Sequence, residues 1–272
     1  MKEPSTFPWR LFWLLLAGAL AGVVAALPML FDMVDQFVPA SEMQEVEAQL
    51  PLPIPLLVLA ALLQNGIVFG GAIAVGLVLS ERIGTGAPLL TAKLKGVPVP
   101  GWQRTLSLAA AVGLFLGVML AVADALVFLP RAPAALRQLG ESIPLWKRLL
   151  AGFLYGGITE EILMRLFVFS FAAWLTGLAW RSPTGRPGTG AFWSANVFVA
   201  VLFALGHLPA TQAIAPLTPA VVVRSLFLNG VASLTFGYLF WRRGLESAML
   251  AHACAHVGLQ LLVPALVRPT TA

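Results

Sequence analysis

Residues 149–175 read LLAGFLYGGITEEILMRLFVFSFAAWL, an apolar run that contains the charged residues Glu160, Glu161 and Arg165. Its length exceeds the roughly 20 residues that an α-helix needs to cross a bilayer. Each ionisable group inside a span costs about 2.5 to 3.5 kcal/mol on insertion scales, so such groups are functional hypotheses by default. The run therefore predicts a membrane helix that carries part of a functional site.

The rest of the chain has the same apolar character. Of its 272 residues 59% are hydrophobic and 11% are charged, and the mean hydropathy is +0.88. Soluble domains carry about 25% charged residues. The sequence thus predicts an all-α, polytopic transmembrane helix bundle. We count seven apolar spans, or eight if residues 131–148 also insert: 11–30, 54–79, 106–129, 149–175, 192–208, 219–241 and 245–267.

Charge and polarity divide the chain into two parts. Residues 1–148 are predicted to hold N-terminal transmembrane helices and a link, and residues 149–267 a four-helix core that contains most of the ionisable residues within spans. The loop at 32–49 is acidic and that at 82–104 is basic, which places the N-terminus in the cytoplasm by the positive-inside rule. The net charge of +5 includes no basic run with interleaved aromatics, so a nucleic-acid partner is not expected.

The two adjacent acids of the fourth span have different predicted partners. Glu161 and Arg165 are four residues apart, so they lie on one helical face and form a pair. Glu160 is rotated about 100° away on an α-helix and cannot share that arginine. A buried ion pair that fixes helix packing accounts for Glu161 and Arg165. It leaves Glu160 without a partner.

All three histidines lie within or at the ends of C-terminal spans: His207, His252 and His256. His252 and His256 are four residues apart, hence about 6 Å apart on one helical face. One carboxylate and three imidazoles suit two chemistries. They can deprotonate a water and donate to an oxyanion, or they can ligate a metal that acidifies the water. The sequence has no His-Glu-x-x-His zinc motif and no Gly-x-Ser-x-Gly elbow.

Three motifs in order resemble the signatures of the CPBP intramembrane protease family, which includes CAAX prenyl endopeptidases and the bacteriocin-processing and immunity proteins of the Abi group. The motifs are Glu160-Glu161-x-x-x-Arg165, Phe203-x-x-x-His207 and His252-x-x-x-His256. The resemblance covers about residues 149–260. It implies an intramembrane endopeptidase in the cell membrane of a bacterium or an archaeon.

The resemblance also implies a role for each motif residue. Glu160 would activate a water together with His207, while Glu161 and Arg165 support the site. His252 would stabilise the oxyanion together with the residue four positions further on.

The chain departs from the family at that last position, where His256 replaces the usual Asn or Asp. An imidazole N–H can still donate to an oxyanion, so His256 is kept as a catalytic candidate. Asn229 is predicted to supply an additional amide. No cofactor is required in this interpretation. The alternative is zinc held by the four catalytic candidates, Glu160, His207, His252 and His256.

The expected partners are the lipid bilayer and a membrane-embedded or lipidated peptide or protein as substrate. Two other functions stay open. A proton-coupled transporter would use the Glu and His residues as a relay. A non-catalytic scaffold or immunity protein would need no active site. Substitution of Glu160 separates these functions, because a scaffold keeps its function without that carboxylate and a protease loses it.

Overall fold

The computed structural model describes residues 7–38 and 40–267, which form helices joined by short connections. Within these ranges the β-type pairing is limited to one isolated bridge between Arg181 and Pro187. The predicted all-α class is confirmed. The N-terminal helices are α1 (Trp9–Phe37), α2 (Ala40–Gln49), α3 (Ile54–Ile83), α4 (Pro88–Leu94) and α5 (Trp102–Ala123).

The remaining helices include long stretches of π-helical winding. α5 continues into a π-helical turn (Asp124–Phe128) and a 3₁₀ turn (Leu129–Arg131), before α6 (Ala134–Ser142). An unbroken helix follows at residues 145–177, here called the site helix. It comprises α7 (Leu145–Leu150), two π segments (Ala151–Glu160 and Ile162–Phe169) and α8 (Ser170–Gly177). The C-terminal helices are α9 (Thr189–Gly206), α10 (Leu208–Gln212), α11 (Pro219–Arg243) and α12 (Leu245–Val267).

Five helices among the described residues are long and apolar enough to cross a membrane. They span Trp9–Gln36, Ile54–Ile83, Trp102–Arg131, Thr189–Gln212 and Pro219–Arg243. The predicted segments at 149–175 and 245–267 are also helical but are not in this set, so the predicted count of seven or eight spans is not confirmed. The site helix differs from the five because it carries Glu160, Glu161 and Arg165 together.

The N-terminal helices pack directly against the site helix. The Thr159 hydroxyl donates to the main-chain oxygen of Ala19 in α1 at 2.9 Å, and a side chain at Gly22 would collide with Thr159. In α3, a Cβ at Gly76 would lie 2.7 Å from the main-chain oxygen of Leu166. Small residues in α1 and α3 therefore allow close approach to the π segments.

Helix α12 lies between α5 and the site helix. On the α5 side, a Cβ added at Gly113 would overlap the main chain of Ala251, and one added at Gly117 would overlap that of Ala255. The two backbones are in contact because these glycines have no side chain. This close packing fixes the position of α12, which carries two of the three histidines.

A buried ion pair joins the end of α5 to α11. Arg224 donates through Nε and Nη2 to the two carboxylate oxygens of Asp124, each at 2.6 Å. The Asp124 side chain is 5% exposed and that of Arg224 is 24% exposed. The rings of Phe128 and Phe227 lie beside the pair, with centroids 5.5 Å apart. A bidentate, largely buried pair of this kind holds two helices in one register.

Candidate active site

The winding of the site helix brings two neighbouring carboxylates toward one partner. Glu160 ends the first π segment, and Glu161 separates it from the second. In an α-helix, adjacent side chains diverge by about 100°. A π-helix bonds residue i to residue i+5, so it turns less per residue and adjacent side chains diverge less. Both carboxylates accordingly reach the ring of His252.

Glu161 links the site helix to α12. Its Oε2 accepts a hydrogen bond from Nε of Arg165 at 3.0 Å, and both side chains are fully buried. This is the predicted ion pair, and it is confirmed. Its Oε1 accepts from Nδ1 of His252 at 2.8 Å. The Arg165 guanidinium also lies 5.8 Å from the centroid of the Phe203 ring. Glu161 thus neutralises Arg165 and orients His252 simultaneously.

His252 is held in one orientation and one tautomer. Its ring lies between two nearly parallel rings, with centroid distances of 4.5 Å to Phe236 and 5.2 Å to His256. Because the paired Glu161 carboxylate can only accept, the proton is on Nδ1. Nε2 therefore carries a lone pair in the neutral ring, and it lies 3.9 Å from Oε2 of Glu160.

His207 has the same tautomer for a different reason. It follows the last residue of α9, and its Nδ1 lies 2.7 Å from the main-chain oxygen of Phe203. A carbonyl oxygen only accepts, so Nδ1 carries the proton and Nε2 is left for other partners. The Phe203 ring packs against the rings of both His207 and His252, at 4.5 and 6.2 Å.

Glu160 completes the cluster. Its side chain is 20% exposed, and its charge interacts with the rings of both His252 and His207. The structure thus brings Glu160, His207 and His252 together. The Glu160 carboxylate faces Nε2 of His252 at 3.9 Å, and the carboxylate and the Nε2 atoms of both rings are hydrogen-bond acceptors when the rings are neutral.

His256 occupies space that two glycines leave open. A Cβ at Gly152 would lie 2.5 Å from its ring, and a Cβ at Gly156 would lie 2.9 Å from its Nε2 and 3.1 Å from Nε2 of His252. Its Nδ1 is buried and has no hydrogen-bond partner in the described part of the chain. The sequence interpretation missed both glycines, although their four-residue spacing is a known signal for close helix packing.

Asn229 makes no hydrogen bond to this cluster among the described residues. Its amide nitrogen donates to the main-chain oxygen of Ser225 at 3.1 Å and lies 3.3 Å from the Ser225 hydroxyl, both on its own helix. The amide is therefore engaged within α11. The predicted supporting role of Asn229 stays a prediction.

The donor types in the cluster suit zinc, but their spacing does not form a metal site. Within residues 7–38 and 40–267, no group of three or more His, Cys, Asp or Glu side chains is arranged to hold a metal ion. The candidate ligands Glu160, His207, His252 and His256 do not fit a zinc ion as they stand. The prediction that catalysis requires no cofactor remains a prediction.

A buried Glu/His cluster within a bundle of apolar helices is a candidate functional site, because ionisable groups at such positions are costly. Residues 142–258, which contain all three motifs, match the family model described as "Type II CAAX prenyl endopeptidase Rce1-like". The match confirms the resemblance to the CPBP family of intramembrane proteases. It supports a CAAX-type intramembrane endopeptidase and an integral membrane protein. No significant match to a curated protein or to a solved structure was found.

Proposed function

We propose that this protein is an intramembrane endopeptidase that hydrolyses a peptide bond of a lipidated or membrane-embedded peptide or protein. The observation that carries the proposal is the position of Glu160. It forms no ion pair with an arginine of the described residues, its side chain is partly exposed, and it faces Nε2 of His252 at 3.9 Å. A carboxylate in this situation is suited to remove a proton from a water that attacks a carbonyl carbon.

Glu160 and His207 would activate the water. The water donates one hydrogen to the Glu160 carboxylate and the other to the lone pair on Nε2 of His207. As its oxygen attacks the scissile carbonyl carbon, Glu160 takes the proton, and the carbonyl π electrons move onto the carbonyl oxygen. Glu160 then returns the proton to the leaving amine as the carbon–nitrogen bond breaks.

His252 would enter the reaction as an imidazolium. The Glu160 carboxylate and the Nε2 atoms of His207 and His252 are three acceptors, and one water has only two hydrogens. A proton on Nε2 of His252 would turn the third acceptor into a donor. Glu161 on Nδ1 stabilises a positive charge on the ring of His252. The added proton on Nε2 points to the Glu160 side, where it can donate to the oxyanion. Glu161 is then a positioning residue.

The test is the isosteric substitution Glu160→Gln, with Glu81→Gln as the matched control at an exposed carboxylate. Each protein is reconstituted in liposomes with a farnesylated peptide ending in a CAAX sequence, or with the same peptide lacking the farnesyl group. Mass spectrometry measures cleavage. We expect Glu160→Gln to lose about 10²- to 10⁴-fold in rate, the usual contribution of a general base. The Glu81→Gln protein should match the wild type.

Equal cleavage by Glu160→Gln and the wild type would contradict the proposal. Cleavage of the farnesylated peptide alone would identify the lipid as part of the substrate. Cleavage of both peptides would indicate a broader class of membrane-associated substrates.

A further inference from the structure

Several connections between helices meet at one end of the bundle. The main-chain N–H of Leu245 donates to the main-chain oxygen of Gly86 at 2.8 Å, so the α3–α4 connection contacts the start of α12. A Cβ at Gly84 would lie 2.5 Å from Nη1 of Arg186, so the α8–α9 connection lies there as well. Helix α5 runs parallel to α12 and begins at the same end, because Gly113 and Gly117 meet Ala251 and Ala255 in the same order along both helices.

This end, here called the basic end, carries many exposed cations. They come from the starts of α1 and α5, the end of α3, α4 and its C-terminal side, the α8–α9 connection and the end of α11. The cations are Arg10, Arg82, Lys93, Lys95, Arg104, Arg181, Arg186, Arg242 and Arg243.

The described part of the basic end has few carboxylates to neutralise these cations. Glu81 is exposed there, and Glu246 is engaged, because its Oε1 accepts from the main-chain N–H of Leu90 at 2.7 Å. Helix α1 runs from the basic end to the opposite end, where its Asp32 pairs with Lys147 at the start of the site helix. The acidic connection between α1 and α3 therefore lies away from the basic end, which keeps a large positive excess.

The tryptophans indicate the depth of the basic end in the bilayer. Trp and Tyr are enriched at the level of the lipid head groups because their rings are amphipathic. The Arg242 guanidinium lies 5.5 Å from the centroid of the Trp241 ring, which packs edge-on against Trp193 at 5.9 Å. Apart from Trp146, the tryptophans lie in or beside the helix turns nearest the basic end: Trp9, Trp13, Trp102, Trp174, Trp180, Trp193 and Trp241. The cations therefore lie at head-group depth.

We propose that the basic end binds the phosphate groups of anionic phospholipids. Lys and Arg side chains donate to phosphate oxygens, and each cation near an anionic bilayer surface contributes about fivefold in binding. A soluble acidic protein would meet the same charges, but the tryptophans beside the cations favour a lipid head group as the partner. The orientation predicted from the loop charges places this end at the cytoplasmic leaflet, whose surface potential is negative. The binding goes beyond the proposed peptidase activity and does not depend on it.

Quenching of tryptophan fluorescence tests the proposal, because most tryptophans lie at the basic end. The full chain is reconstituted in phosphatidylcholine vesicles that contain a minor fraction of brominated phosphatidylglycerol or of brominated phosphatidylcholine. We expect the quenching to show that phosphatidylglycerol binds about fivefold or more tightly than phosphatidylcholine. Raising the salt from about 0.1 M to 1 M shortens the Debye length from about 10 Å to 3 Å, so the preference should decrease.

A variant with four neutralised cations should lose most of this preference, to within about twofold of equal binding. Its substitutions are Lys93→Gln, Lys95→Gln, Arg181→Gln and Arg243→Gln, all at exposed positions. The control combines Arg131→Gln and Arg137→Gln, two exposed cations outside the basic end, and should keep the wild-type preference.

Equal quenching of the wild type by the two lipids would overturn the inference and assign the cations to membrane insertion or to a soluble acidic partner. A preference that high salt and the four substitutions leave unchanged would also overturn it, as would an equal loss in the control. Peptide cleavage is not measured, so these outcomes are separate from those that test Glu160.

Discussion

Helix α12 packs against α5 on one side and against the site helix on the other, and glycines allow the close approach on both sides. The glycines of α5 lie against the main chain of α12, whereas those of the site helix lie against its histidine side chains. On the α5 side, Gly113 and Gly117 touch the main chain at Ala251 and Ala255. The contact is backbone to backbone, as in membrane helix pairs that rely on small residues for close approach. Nothing on this side requires a polar side chain.

On the site-helix side, the glycines lie against side chains of α12 and not against its main chain. Gly152 and Gly156 lie against the ring of His256, and Gly156 also lies against Nε2 of His252. A polar connection supplements the packing here, because Glu161 binds Nδ1 of His252. The α5 side therefore stabilises the bundle, while the site-helix side makes room for imidazoles and orients them.

The largest expected effect comes from breaking the polar connection with Glu161→Ala. Arg165 would be left fully buried without its carboxylate. Removal of one partner of a buried pair typically costs about 3 to 5 kcal/mol in the free energy of unfolding. Activity should fall as well, because His252 loses the acceptor that orients it. Denaturation in detergent micelles measures the stability.

The control is Asp32→Ala, which breaks an ion pair with Lys147 whose side chains are 25% and 20% exposed. Because solvent reaches both side chains and screens their attraction, this variant should lose less stability than Glu161→Ala. An unchanged unfolding midpoint in Glu161→Ala would refute the anchoring role of the carboxylate.

The second-largest expected effect tests whether the glycines of the site helix and those of α5 have different roles. Gly156→Ala adds a Cβ 2.9 Å from Nε2 of His256 and 3.1 Å from Nε2 of His252, so the imidazoles must shift. A displacement of about 1 Å in an active site can cost about 10²-fold in rate. We expect a loss of that size in kcat, measured on folded protein, with a small change in stability.

Gly117→Ala is the counterpart on the other face. Its added Cβ overlaps the main chain of Ala255, which cannot move aside as a ring can. Overpacking of this kind typically costs about 1 to 3 kcal/mol, so the unfolding midpoint should fall while the folded fraction keeps its kcat. If both variants lose stability and activity in equal proportion, the two faces do not have separate roles.

The smallest expected effect concerns His256 and metal. Chelator-treated, metal-free protein and the His256→Asn variant should both retain wild-type activity, because water activation is assigned to Glu160 and His207. Peptide cleavage is measured for both in parallel. Loss in both, with activity restored by zinc only in the chelated wild type, would show that the site works through a metal.

Much of the fold follows from the sequence because membrane spans depend on local composition. The predicted span at 54–79 lies within α3 (Ile54–Ile83), and that at 219–241 lies within α11 (Pro219–Arg243). The Glu161–Arg165 pair also follows from local spacing. These features depend on residues within one helix, so the sequence pattern contains the necessary information.

The geometry of the site was less accessible to sequence reasoning. The prediction for Glu160 and Glu161 assumed α-helical rotation, whereas Glu160 lies in a π segment and Glu161 between two π segments. The bond between Glu161 and His252 joins residues 91 positions apart. No local pattern specifies which nitrogen of His252 faces which carboxylate. That choice depends on how α12 packs against the site helix.

The ion pair between Asp124 and Arg224 has a consequence for how the protein is made. Its partners are 100 residues apart in the chain. At a synthesis rate of about 5 to 20 residues per second, Arg224 leaves the ribosome roughly 5 to 20 s after Asp124. During that interval the carboxylate has no guanidinium beside it. Asp124 directly follows the last residue of α5, where an unpaired carboxylate can stay near the headgroups until α11 arrives to draw it in.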